Sequence, residues 1–211
     1  HEIRNPMGFV LGDVELLETE RDPAKIQEFM TMLKEDLVRL LDLLETMLEY
    51  GKPVNKIEDN VDINEIIQKV YMLSKGDLGR KTIRAQLNLA EDLPKISIDK
   101  GKFRQSVINI LLNGVQSIGE KGNIKITTAK AEFKDTEGKA QKGIMVRVAN
   151  DGPAMPKEVK DHLFDAYYTT KEKGSGIGLS VVLNLVKDHH GKIEIEYKEN
   201  ETAFVLYLPL G

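Results

Sequence analysis

The 211-residue chain has no cysteine, which excludes disulfides and thiolate metal sites and makes a reducing compartment, the cytoplasm, its expected location. It also lacks any apolar run near the roughly 18 residues needed to span a bilayer. No signal peptide opens it, because His1 begins directly in charged, helix-compatible sequence. No membrane contact is therefore expected of these residues. The missing initiator Met suggests a piece of a longer protein, and a membrane-anchored parent stays open. Neither sign of charge dominates: 34 acids against 30 bases leave a net charge of -4. A nucleic-acid grip would need a basic excess gathered on one face, so that class of partner is not expected.

What is present is an ordinary globular balance, 41% hydrophobic and 30% charged, in a chain long enough for one large domain or two small ones. The first fifty residues predict two helices. Ile3, Met7, Val10, Val14 and Leu17 fall at alternating steps of four and three, and Ile26, Met30, Leu33, Leu37, Leu40, Leu44 and Met47 continue the pattern. That is the period of a coiled-coil-like seam. Asp22-Pro23 supplies an N-cap and a first-turn proline between them, and Gly51 and Pro53 stop the second helix. Leu41, Leu48 and Phe29 widen the stripe beyond what one hairpin can cover, so a homodimeric four-helix bundle is expected. An arm folded back on the same chain would answer the same need.

Residues 51–60 are rich in breakers and charge and read as a linker, set at 53–60. Beyond it the periods mix. Helices are expected over 63–73, from an Asp99 cap to about Ile118, and over 177–189. Strands are expected over 82–89, 124–129, 144–149, 193–197 and 203–208. Lys121 to Asn123 reads as a turn, Lys134 to Lys142 as a hairpin tip, and 151–174 as largely irregular. This predicts an α+β chain: a helical hairpin, then a sandwich with a mixed sheet covered by helices on one face.

Four groups of residues could carry chemistry. His1 lies roughly 200° around its helix from Ile3, away from the apolar seam, with Glu2 adjacent and Asn5 one turn on. A solvent-facing imidazole beside a carboxylate has the access and the proton acceptor that a nucleophile needs. An ordinary surface histidine, or a tag remnant, has the same signature. Gly174, Ser175, Gly176, Ile177, Gly178 and Leu179 form a glycine cluster before a helix, where backbone N–H groups can approach a phosphate. A tight turn would look alike. Asn109 and Asn113, four apart, share one helix face, and their amide oxygens are hard donors that could hold Mg²⁺ with phosphates and water. Two hydrogen-bonded polar residues at a helix edge are the plain alternative. Asn150-Asp151-Gly152-Pro153 ends an apolar strand, where a polar side chain can face a pocket or merely make a turn.

In this order, these elements resemble the histidine kinases of two-component signalling over essentially the whole chain. His1 to Pro6 is similar to the family's phosphoacceptor box and Asn109 to Asn113 to its N box. Asn150 to Pro156 resembles the first glycine box, Leu163 to Lys171 the F box of the ATP lid, and Gly174 to Leu179 the second glycine box. The family's usual Asp-Asn order at the first glycine box is reversed here to Asn150-Asp151, and Ala154 replaces a second glycine.

The resemblance implies a dimerisation and phosphotransfer hairpin at 1–52. A Bergerat-type ATP-binding domain would follow at 61–211, with its lid at about 151–174. It implies that His1 attacks the γ-phosphate of ATP while Glu2 orients the ring and accepts its proton. Asn113 would hold Mg²⁺ with Asn109 near the phosphates, and Asn150 and Gly152 would meet the base. Lys171, Gly174, Ser175, Gly176, Gly178 and Leu179 would line the phosphate end. An aspartate on a response-regulator receiver domain would take the phosphate, and Asn5 is placed to position a water for dephosphorylating that partner.

Competing readings keep the fold and change the chemistry. An ATPase or serine-phosphorylating relative leaves the heptad hairpin and its solvent-facing His1 unexplained. A nucleotide-binding pseudokinase, or a dimeric scaffold acting without phosphoryl transfer, must account for both ends of an ATP site. His189-His190 and His162 are read as structural cap and solvent position, not as metal ligands.

Overall fold

The computed structural model describes residues 4–50, 57–80, 82–135, 138–153, 155–170, 176–198 and 201–210. Two helices, α1 (Arg4–Thr19) and α2 (Pro23–Tyr50), form the hairpin. Asp22 caps α2 through Ala24 N–H, which donates to Asp22 Oδ1 at 2.9 Å, and Pro23 opens the helix. Glu20 Oε1 accepts from the N–H groups of Arg21 (2.8 Å) and Asp22 (3.0 Å), which folds the connection back.

Within the hairpin the apolar stripe divides. Val10, Leu17, Ile26, Phe29 and Leu33 are half-buried between the two helices. Met7 (49% exposed), Val14 (38%), Met30 (54%) and Leu37 (44%) remain open, although they belong to the same heptad seam. One hairpin therefore covers only one side of the seam. Asp13 is buried in the packed line, and its Oδ2 has no hydrogen-bond partner.

The described end of the linker expected at 53–60 belongs to a sheet instead. Residues 57–60 belong to strand β1 (Ile57–Val61), which pairs antiparallel with β3 (Ile96–Asp99). The charges that gave the segment its linker-like composition have partners: Lys100 Nζ donates to Glu58 at 2.6 Å, and Ser97 Oγ donates to Asp59 at 2.7 Å. Val61 meanwhile enters the core.

Helix α3 (Ile63–Arg80) runs a further two turns past the expected end and buries Leu78 along with Ile63, Ile67 and Val70. After β2 (Thr82–Asn88) and β3 comes α4 (Lys100–Ile118), whose N-cap Asp99 accepts from Lys102 N–H at 2.9 Å. The turn expected at Lys121 to Asn123 sits earlier, at Gly119 (φ 79°) and Glu120. Lys121 already begins β4 (Lys121–Lys134), because its parallel pairing with β2 starts there, opposite Thr82.

β5 (Ala140–Asn150), the short α5 (Lys157–His162), α6 (Gly178–Asp188), β6 (Lys192–Lys198) and β7 (Glu201–Pro209) complete the order. α5 lies inside the stretch expected to be irregular.

The large sheet has the order β2-β4-β5-β7-β6, with β2 parallel to β4 and every other pair antiparallel, a mixed sheet as expected. Alternation gives it two unlike faces. Ile124, Ile126, Val146, Val148, Phe204 and Leu206 pair across one face and share a core with Phe103, Ile110, Leu111, Val182 and Leu185 of α4 and α6. The opposite face carries the Phe133–Tyr207 stack (5.4 Å) and Arg147, whose guanidinium bonds Glu196 (2.9 Å) and Glu201 (2.6 Å). Burial alone would lower the Arg147 pKa, but the two carboxylates outweigh it and raise it.

Candidate functional site

α4 has a reason to be rigid. Its N-terminus is capped by Asp99, and Asp99 N–H in turn donates to the buried His189 Nε2 at 3.1 Å. His189 Nδ1 bonds the Leu185 carbonyl at 2.9 Å, an arrangement served by the tautomer protonated on Nδ1. Both ring nitrogens are thus engaged in joining the end of α6 to the start of α4, the structural role expected of this histidine. His162 is exposed at the end of α5 and bonds Asp165 at 2.8 Å.

On α4, Phe103, Val107, Ile110 and Leu111 are buried, while Asn109 and Asn113 lie half-buried, one turn apart. Leu112 is exposed. Asn109 Nδ2 donates to the Gly178 carbonyl at 2.9 Å, and its Oδ1 accepts from Gln105 at 3.2 Å. The carboxamide therefore ties α4 to the first residue of α6. A Cβ on Gly178 would meet Asn109 Cγ at 3.4 Å, an ordinary contact, so the tie itself does not demand glycine. Asn113 and the exposed Gln116 also have polar partners.

No side chain caps α6. Its first-turn N–H groups make that end a place for negative charge. Gly176 (φ 67°) precedes it, and its carbonyl accepts from Tyr167 N–H at 3.1 Å. A Cβ there would lie 2.7 Å from the Tyr167 Cα, so this glycine is demanded by close packing on the Tyr167 backbone. Leu179 is half-buried against the core.

The third component comes from the end of β5. Asn150 is buried on the helix-covered face, in line with Val148 and Val146. Its Nδ2 donates to the Thr202 carbonyl at 3.3 Å, and its Oδ1 accepts from Gly152 N–H at 3.1 Å. Gly114 of α4 packs on it: a Cβ there would be 3.5 Å from Asn150 Cβ. Gly152 in turn sits where a Cβ would be 3.0 Å from the Ser117 carbonyl. Asp151, by contrast, is exposed and bonded to Asn123.

Asn109, Asn113, Asn150, Gly152, Gly176, Gly178 and Leu179 are thereby drawn together from α4, β5 and the start of α6. Lys171, Gly174 and Ser175 lie outside the described residues, as do His1 and Glu2. Asn5 stands on α1, in the hairpin. Among the described site residues the polar side chains are neutral carboxamides, so an anion would be met by helix-end N–H groups. Thr202 was missed from sequence, yet its signal was legible: it is the polar residue at an inward step of a strand whose other inward residues are Phe204, Leu206 and Leu208.

Residues 98–211 match the family described as histidine kinase-, DNA gyrase B-, and HSP90-like ATPase. Residues 1–56 match the His Kinase A (phospho-acceptor) domain. The catalytic domain of the histidine kinase ThkA is 30% identical and superposes with a TM-score of 0.64, covering 74% of this chain and 97% of that one. The chain belongs to the histidine kinases. Its core is that of a two-component sensor kinase, hairpin first and ATPase-like sandwich second.

The sensory histidine kinase/phosphatase NtrB of Vibrio alginolyticus is 32% identical over 213 residues, and the sensor histidine kinase ZraS of Escherichia coli K12 is 30% identical over 214. Both alignments span this whole chain but only 60% and 44% of the relatives. The structure of ThkA in complex with the response regulator protein TrrA covers the whole chain at 28% identity with a TM-score of 0.77, over 59% of its own length.

Proposed function

We propose that this chain autophosphorylates His1 from ATP and passes the phosphate to an aspartate of a response-regulator receiver domain. The observation that carries this is the convergence of Asn109, Asn113, Asn150 and the uncapped start of α6, behind a hairpin that matches a phospho-acceptor domain. In the first step an imidazole nitrogen of His1 bonds the γ-phosphorus. The bond to the β–γ bridging oxygen breaks, ADP leaves, and Glu2 takes the ring proton. In the second step the N–P bond breaks as a carboxylate oxygen of the partner forms an O–P bond. Such transfer asks mainly for positioning and charge neutralisation.

Asn150 would accept a hydrogen bond from the adenine amine, and Asn109 would keep α6 in register for the phosphates, with Lys171 and the glycines from 174 to 178 beside them. The donor set suits Mg²⁺, since Asn113 offers a hard carboxamide oxygen in an ion-binding manner that leaves most positions to phosphate and water. When bound, that ion supplies positive charge at the phosphates. Asn5 would position water for dephosphorylating the regulator.

Residues 1–52 would form the dimerisation and phosphotransfer unit of a homodimer, since the open half of the seam needs a second hairpin. The sandwich would serve as the ATP-binding domain, its lid in the 151–174 stretch. No helix of the described residues is long and apolar enough to cross a membrane, and we place this portion in the cytoplasm beneath any anchor. The TrrA complex of ThkA supports a receiver-domain partner.

The test is autophosphorylation with γ-labelled ATP and Mg²⁺, comparing the chain with His1→Gln, both carrying native sequence upstream of His1. Acid-labile, base-stable label that vanishes in the variant is the expected result. Label persisting in the variant would remove His1 as acceptor. Nucleotide binding without label would favour the pseudokinase or scaffold.

A further inference from the structure

The reversed order Asn150-Asp151 has a structural counterpart at the rim of the site. Asp151 bonds one residue from three directions. Its N–H donates to the Asn123 carbonyl (3.2 Å), its Oδ1 accepts from Asn123 N–H (2.7 Å), and its Oδ2 accepts from Asn123 Nδ2 (2.6 Å). Both carboxylate oxygens are thus held at the start of β4, just beyond the turn that follows α4. The fit depends on Gly122: a Cβ there would overlap Asp151 Oδ1 and lie 2.6 Å from Ile118 Cγ2. On either side of Asp151 the chain is equally constrained. Asn150 is buried with both amide ends engaged, and Gly152 rests against the Ser117 carbonyl.

We propose that Asp151 is a positioning residue for the nucleotide base, clamping the end of β5 to α4–β4 through Asn123 so that Asn150 keeps its oxygen available as an acceptor. This rests on the reading of Asn150 as the base contact. The peptide between Asn150 and Asp151, and the Gly152 N–H that fixes Asn150 Oδ1, both lie within one residue of the clamp. Because Nδ2 must face the Thr202 carbonyl and Oδ1 the Gly152 N–H, the carboxamide has one orientation, and its oxygen retains a second lone pair. A carboxylate at position 150 would set an oxygen against the Thr202 carbonyl where an N–H now donates. The negative charge sits instead at the exposed position, where water solvates it and two N–H donors of Asn123, backbone and carboxamide, organise it. The order Asn-then-Asp is the one this shell accommodates.

The experiment measures ATP and ITP affinities by competition against a fluorescent ATP analogue, using the whole chain. ITP lacks the exocyclic amine, so the ratio of the two reports the Asn150 contact and not general integrity. The wild-type chain should prefer ATP. Asp151→Ala should reduce that preference by about tenfold, the loss of one well-aligned hydrogen bond. Asp151→Asn should stay within about threefold, because its amide oxygen still accepts from Asn123 N–H and the Asn123 carboxamide can turn to accept from the new amide. Gly122→Ala is an independent lesion that overfills the clamp while leaving its partners in place, and it should reproduce Asp151→Ala.

An unchanged ratio in Asp151→Ala or Gly122→Ala, or an equal loss of both nucleotides, would overturn the proposal and leave Asp151 a purely structural residue. A wild-type chain that binds both nucleotides without preference would instead remove the reading of Asn150, and the clamp's role with it.

Discussion

The hairpin and the sandwich of this chain are built to opposite plans. In the sandwich, Phe103, Ile110, Leu111, Val146, Phe204 and Leu206 reach full burial within one chain, and polar groups at the edges find partners. In the hairpin, Met7, Val14, Met30 and Leu37 stay open, and the buried line contains a carboxylate, Asp13, with an unpartnered oxygen. The sandwich carries its own core. The described part of the hairpin leaves one side of its seam open, and in the proposed dimer another hairpin would cover it. Stability of the first should be a property of the chain, and stability of the second a property of its concentration.

The largest effect should come from breaking the sandwich alone. Phe103→Ala is expected to cost about 3–5 kcal/mol, abolishing nucleotide binding in calorimetry while self-association by sedimentation persists. Loss of both together would mean the two regions fold as one. Next is Leu37→Glu, which places a charge in the open half of the seam. It should weaken dimerisation by roughly 2–3 kcal/mol, read as a shift to monomer in light scattering, with the nucleotide affinity of the sandwich retained. Asp13→Leu sharpens the contrast from the other direction. Replacing a buried, incompletely bonded carboxylate should stabilise the hairpin by about 1–3 kcal/mol, visible as a higher and still concentration-dependent melting temperature.

Asn109→Ala should cost the sandwich about 1 kcal/mol by removing the tie to Gly178, and should lower ATP affinity without changing the dimer. The smallest effect belongs to Glu20 at the hairpin turn. Its carboxyl is held below its ordinary 4.5, first by Asp22 N–H and then by Arg21 N–H. The stabilisation it gives is therefore present above pH 4.5 and is lost as pH falls through the lower folded value. A carbon-detected NMR titration should find that midpoint, and Glu20→Gln should flatten the acid limb of the hairpin's melting curve.

Legibility followed the same division. The hairpin was readable because a 3.5-residue period and an Asp22-Pro23 start survive in any context. What could not be read was which seam residues face the neighbouring helix: Val10 and Val14 look alike in sequence, yet the first is half-buried and the second open. In the sandwich, α4 was placed to the residue by its Asp99 cap. β1 was lost because Glu58 and Asp59 made it look like a tether, and their partners, Lys100 and Ser97, lie about 40 residues away. α3 outruns its expected end because its last anchor, Leu78, follows the polar turn Ser74 to Asp77.

The sequence by itself determined the family, the two-part plan and the residue types of the site, because local spacing encodes helix faces, caps and glycine turns directly. It named Asn109, Asn150 and Gly178 without saying that the first would hold the third. Only the tertiary structure decided that Asn150 is the buried member of its pair, bonded to Thr202, and that Asp151 is the exposed one, bonded to Asn123. The physical reason is that adjacent residues at a strand end point to opposite sides. Which side holds the core depends on strand and helix neighbours distant in sequence.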